Sequence, residues 1–113
     1  MKKFIVTYLA PTDATWKTQE STPEEMEAGM KAWMAWAEKC GTKLVDMGSP
    51  LGNGISLRPG GSSSASESLI IGYSVLQANS MEEASSLLKD HPHLDWNSDC
   101  QIDVHESMLV PGN

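Results

Sequence analysis

Cysteine is scarce in this 113-residue chain, with only Cys40 and Cys100. Two cannot make a disulfide framework, and their separation matches no metal-binding spacing. Both read as reduced thiols of a cytoplasmic protein. Basic residues are also few, eight against fifteen acidic ones, for a formal net charge of −7. Such a surface repels phosphate backbones and anionic lipid heads, which argues against nucleic acid and membranes as partners. Long apolar runs are missing. The basic-then-apolar stretch 1–9 is too short for a signal peptide, and no segment approaches transmembrane length. The glycine-rich stretch 48–54 lacks the strand-turn-helix setting of a phosphate loop, which excludes nucleotide binding of that kind. There is no nucleophile elbow and no repeat at solenoid period.

What is present suits one folded domain spanning 1–113. The apolar fraction is 40% and the charged fraction 20%, both ordinary for a globular protein. A chain of this mass should expose roughly 6,000 Å² when folded, against about 18,000 Å² unfolded. No staple is needed to hold such a core.

Residues 4–9 are rich in aromatic and branched side chains and end at Pro11, which predicts a strand. A polar loop with Trp16 follows over 11–21. Thr22 is placed to N-cap a helix, with Pro23 at its first position and Glu25 completing a capping box. Met26, Met30, Trp33, Ala37 and Cys40 then fall on one helical face, widened by Met34 and Trp36. Lys39 and Gly41 mark the end. A second strand is expected over 43–47, continued past a kink by 55–58, and the low-complexity stretch 59–66 reads as a mobile loop. A third, strongly apolar strand covers 69–78. Ser80 and Glu83 open a second helix with Ala84, Leu87, Leu88 and His91 on one face, stopped by Pro92. A loop with Trp96 leads to a last strand over 101–108.

The order β-α-β-β-α-β, with right-handed crossovers, puts both helices on one face of an antiparallel sheet. The other face should be polar if it meets water. It is not. Phe4, Val6 and Tyr8 point one way, while Ile5, Thr7 and Leu9 point the other. Likewise Ile71, Tyr73 and Val75 oppose Ile70, Leu76 and Ala78. An apolar sheet face of several hundred Å² calls for a cover, and two-fold pairing of identical sheets supplies one. The alternative cover is the chain's own loops carrying Trp16 and Trp96. The expected fold is therefore α+β, a ferredoxin-like sandwich that forms a homodimer through its sheet face.

The chain resembles the YCII-related family of the dimeric α/β barrel superfamily. The matching stretches are Phe4-Ile5-Val6-Thr7-Tyr8, Thr22-Pro23-Glu24-Glu25, Ala32-Trp33-Met34-Ala35-Trp36, Gly48-Ser49-Pro50-Leu51-Gly52, Gly72-Tyr73-Ser74-Val75-Leu76-Gln77-Ala78, His91-Pro92-His93-Leu94 and Ile102-Asp103-Val104-His105-Glu106. The resemblance implies the same ferredoxin-like domain and the same dimeric α/β barrel. Of function it implies little, since only a few relatives resemble small-molecule lyases. Many relatives carry Asp-Gly-Pro-Phe before the third strand. Here that place reads Ser62-Ser63-Ser64-Ala65-Ser66-Glu67, so no role tied to it carries over. The histidine-aspartate pair proposed as catalytic in the founding branch has no secure counterpart here.

Candidate chemistry falls in three places. His91 and His93 flank Pro92, where a rigid turn could hold a base that titrates near neutral pH. The bland alternative is a helix end that favours His91. Asp103 and His105 share a face of the last strand with Gln101 and Ser107, so a carboxylate could orient an imidazole. The alternative there is a solvated edge strand. Trp33 and Trp36, with Met26, Met30 and Met34, could line an apolar pocket, or simply form core. Tyr8, Tyr73 and Trp96 are its other candidate members. A metal set from His91, His93 and His105 with Asp95 or Asp99 is conceivable, but nothing brings His105 near, so no metal is expected.

Two functions fit this reading. One is a dimer binding a small apolar or aromatic molecule, acting without a cofactor as an acid-base lyase or isomerase. There His105, Asp103, His93 and Tyr8 would be catalytic, and Trp33, Trp36, Tyr73, His91 and Trp96 would bind ligand. The other is a non-enzymatic protein-interaction or sensor module; a structural oligomer without a site is a third possibility.

Overall fold

A computed structural model describes residues 1–11, 22–96 and 98–110. Trp16 lies outside the described residues. The elements run β1 (Lys2–Leu9), α1 (Pro23–Cys40), a 3-10 turn (Gly41–Lys43), β2 (Leu44–Asp46), β3 (Ile55–Leu57), β4 (Ser63–Ala65), β5 (Ile70–Ala78), α2 (Met81–Ser86), a second 3-10 turn (Pro92–Asp95) and β6 (Gln101–Glu106). Four strands form one sheet in the order β2-β5-β1-β6, and every neighbouring pair is antiparallel. The ferredoxin-like arrangement expected from the sequence is present, with a small β3-β4 hairpin added.

The strand alternation sorts as the sequence implies. Phe4, Val6 and Tyr8 of β1 and Leu76 and Ala78 of β5 are buried, and pack with Trp36, Cys40, Ala84 and Leu88 from the helical layer. Ile5 and Thr7 face the other way, opposite Val75 and Tyr73 of β5 and His105 and Asp103 of β6. Ile5 is 36% exposed. One sheet face is thus closed by helices, and among the described residues no helix covers the other, where Thr7, Tyr73 and Val75 are half-buried.

Both helix starts follow the capping logic. Thr22 Oγ1 accepts from the Glu25 backbone N–H at 3.1 Å. Ser80 Oγ accepts from the Glu83 N–H at 3.2 Å. Gly41 ends α1 at φ +57°, donating its N–H to the Ala37 carbonyl.

Four expectations need correction. The stripe on α1 is only half buried, since Met26 and Met30 are 54% and 61% exposed. Eighteen residues make a helix about 27 Å long, and only its C-terminal half, from Trp33 onward, packs on the core. The second helix does not reach His91. It stops at Ser86, where Ser85 and Ser86 hydroxyls bond back to carbonyls of Met81 and Glu83 and so compete with the helical ladder. Residues 55–58 do not extend β2. Ile55–Leu57 pairs instead with Ser63–Ala65, so the serine-rich stretch read as a loop contains a strand. Gly60 and Gly61, at φ +92° and +91°, make the reversal that few other residues could.

Large apolar side chains stand bare among the described residues, Met30, Ile55, Leu57 and Leu109 among them.

Candidate functional site

The notable interior feature is a cluster of rings between α1, the second 3-10 turn and the sheet. His91 lies at its centre and is fully buried. Its ring centroid stands 4.3 Å from Trp33, 4.4 Å from Trp36 and 4.8 Å from Tyr8. Both tryptophans meet it edge to face. Trp33 is only half buried and forms the outer wall.

His91 sits in extended backbone just before Pro92 and caps the 3-10 turn: its Nδ1 accepts from the His93 N–H at 3.0 Å. An accepting Nδ1 carries no proton, so in the neutral ring the proton is on Nε2. That Nε2 finds no hydrogen-bond acceptor among the described residues. Burial, and then the neighbouring His93, push the His91 pKa down to about 4. At neutral pH His91 is therefore an uncharged N–H donor in an aromatic cage. It is not a base, because its lone pair is already engaged.

Tyr8 supplies the floor. Its hydroxyl lies 2.7 Å from Ser74 Oγ, which in turn donates to the Met47 carbonyl at 2.7 Å. Since the serine proton goes to that carbonyl, Tyr8 is the donor to Ser74. Burial pushes the Tyr8 pKa up to about 12, partly offset by the Ser74 bond. Ser74 was not singled out from the sequence. Its signal was a hydroxyl at a core-facing parity in an apolar strand.

His93 is 3% exposed and donates Nε2–H to the Leu9 carbonyl at 2.8 Å. Burial lowers its pKa, while backbone bonds with Leu9 and Gln101 work the other way. These bonds make it a strut joining the second 3-10 turn to β1 and β6. Trp96 lies beside it, with centroids 6.1 Å apart. Trp36 is also anchored, donating Nε1–H to the Leu87 carbonyl at 2.7 Å. Trp36→Phe should lower unfolding free energy by about 1–3 kcal/mol, because it strands that carbonyl. Denaturant titration of the variant would show no change if the bond contributes nothing.

The structure divides the residues singled out from the sequence. Tyr8, Trp33, Trp36, His91 and His93 come together on the helical side, with Trp96 at the edge. Asp103, His105 and Tyr73 are on the open face, paired across Thr7 and Ile5. Tyr8 and His93 therefore cannot share a site with Asp103 and His105 within one chain. Nor do the last two form a dyad: Asp103 accepts from Gln101 Nε2 at 2.8 Å, and His105 stands exposed. Among the described residues no group of three His, Cys, Asp or Glu is placed to hold a metal. No described helix is long and apolar enough to cross a membrane.

No protein-family description matches the chain, and no curated protein does. Among solved structures it is similar in fold to a 5-chloro-2-hydroxyhydroquinone dehydrochlorinase from Burkholderia phenoliruptrix AC1100, solved in complex with 2,5-dihydroxybenzoquinone. The TM-score is 0.54 at 16% identity, covering 100% of this chain and 99% of that one. At that identity the likeness speaks for the fold.

Proposed function

We propose that the chain works as a two-fold dimer of face-to-face sheets that binds a small flat molecule bearing a carbonyl or hydroxyl oxygen. The observation that carries this is the buried, unpaired Nε2–H of His91 inside the ring cluster. An orphan donor in a buried site costs roughly 1–3 kcal/mol, and a ligand oxygen would recover it. A flat ring would take the place of Trp33, the half-buried wall, against the imidazole. Pockets of this type are mostly apolar with a few directed polar groups.

Binding is favoured over catalysis because the cluster offers donors and no free base. A dehydrochlorination, the reaction named for the enzyme similar in fold, needs a group to take a proton. In the proposed dimer Asp103 and His105 would lie at the sheet-sheet contact, where a second copy brings further side chains. Lyase or isomerase activity is the finer reading and rests on that contact.

A thermal-shift titration with 2,5-dihydroxybenzoquinone tests the binding. Ligand at a hundred times its dissociation constant adds about 2.7 kcal/mol, so the wild type should melt several degrees higher and His91→Leu should not respond. A wild type without response would remove the reading. The dimer has its own check. Ile5→Asp places a carboxylate on the sheet face, so sedimentation should fall from the mass of two chains to one. An unchanged mass would mean that another surface makes the contact.

A further inference from the structure

The β3-β4 hairpin has two unlike faces. Register pairs Ile55 with Ala65 and Leu57 with Ser63, so these four lie on one side, apolar but for Ser63. Ser56 and Ser64 occupy the other, where Arg58 Nη1 donates to Ser64 Oγ at 2.9 Å. The apolar side is bare: Ile55 is 67% and Leu57 73% exposed. A two-stranded hairpin alone in water is marginal at best, so its apolar face needs a cover.

We infer that this hairpin is an arm that clasps a second copy of the chain, an inference that rests on the sheet-face dimer proposed above. Position and area argue for that occupant. The base of the arm is tied to the sheet, with Leu51 N–H donating to the Ile71 carbonyl at 2.9 Å and Pro50 bridged to Gly72. It therefore grows from the rim of the open face. Leu51, Leu69 and Ile70, near the base of the arm in sequence, are exposed apolar side chains as well. The sheet face is roughly 20 Å square by strand spacing and rise, and a stable interface buries about 800 Å² of accessible surface from each partner. The arm adds its bare Ile55 and Leu57 to the surface that a second copy can cover.

The test compares wild type with Ile55→Thr/Leu57→Thr, which puts a β-branched residue at both positions and so keeps the hairpin. The dimer dissociation constant, measured by sedimentation, should rise at least tenfold. Arm amides in residues 55–65 of the wild type should exchange slowly above that constant and quickly below it. A wild-type dimer whose constant the double variant leaves unchanged, or whose arm exchanges quickly throughout, overturns the arm and leaves the sheet dimer standing. A wild type that is monomeric at all concentrations overturns both. Protection of the arm in the monomer would mean that its own chain covers it, which also overturns the inference.

Discussion

Gly48→Ala is expected to lose about 3 kcal/mol or more of stability, the largest effect among Gly→Ala changes at the described glycines. Two causes combine. Gly48 has φ +77°, a conformation that costs a residue with a Cβ roughly 1 kcal/mol or more. A Cβ there would also land on the Tyr73 carbonyl oxygen and within 2.6 Å of its carbon. Both atoms are backbone in the middle of β5, so neither can turn aside. The neighbourhood explains the tight approach. The β2-β5 register shifts between Leu44 and Asp46, and Gly48 N–H is held by Asp46 Oδ1 at 2.8 Å. Met47, next in line, accepts the Ser74 hydroxyl that Tyr8 leans on. Pushing Gly48 off β5 would therefore loosen the ring cluster as well as the sheet edge. Thermal melts measure the loss. A variant as stable as wild type would mean that the strands do not approach this closely.

Acid should destabilise the fold by about 3 kcal/mol between pH 6.5 and pH 4 through His91 alone. Its folded pKa is about 4 against 6.5 for the free ring, and each unit corresponds to 1.36 kcal/mol. Above pH 6.5 the ring is neutral in both states, and its contribution is fully present. As the pH falls toward 4, the unfolded chain binds a proton that the folded chain refuses, so stability is lost. His93 is lowered too and acts with the same sign. His91→Leu removes this titration. The variant should be somewhat less stable at pH 7, because the His93 N–H loses its cap, yet its stability should fall less steeply on acidification. Denaturant titrations from pH 7 to pH 4 give both slopes. Parallel curves would show that His91 is not held neutral.

Some of the site was legible and some was not, for physical reasons. Strand parity is written in the sequence, so the inward set Phe4, Val6 and Tyr8 could be read directly. The helix caps at Thr22 and Ser80 are local chemistry. The His91-Pro92-His93 turn stands out because proline restricts the residue before it. What parity leaves open is which strand faces share a side. Only the register, Thr7 opposite Asp103 and Tyr8 opposite Ile102, separates Asp103 and His105 from Tyr8. The second helix looked longer because its apolar spacing continues to His91, and those positions are indeed buried or half buried. Serine hydroxyls end the helix early without disturbing the burial. The strand at Ser63–Ala65 is hidden by composition, since two of its three residues are serine, one on each face.

Nitrogen-15 NMR of the histidine rings tests directly whether His91 is a neutral donor held ready for a ligand oxygen. His91 should be protonated on Nε2 and should not titrate above pH 5, and its Nε2–H resonance should move downfield when 2,5-dihydroxybenzoquinone is added. A ring titrating near 6.5, or one untouched by saturating ligand, would contradict it.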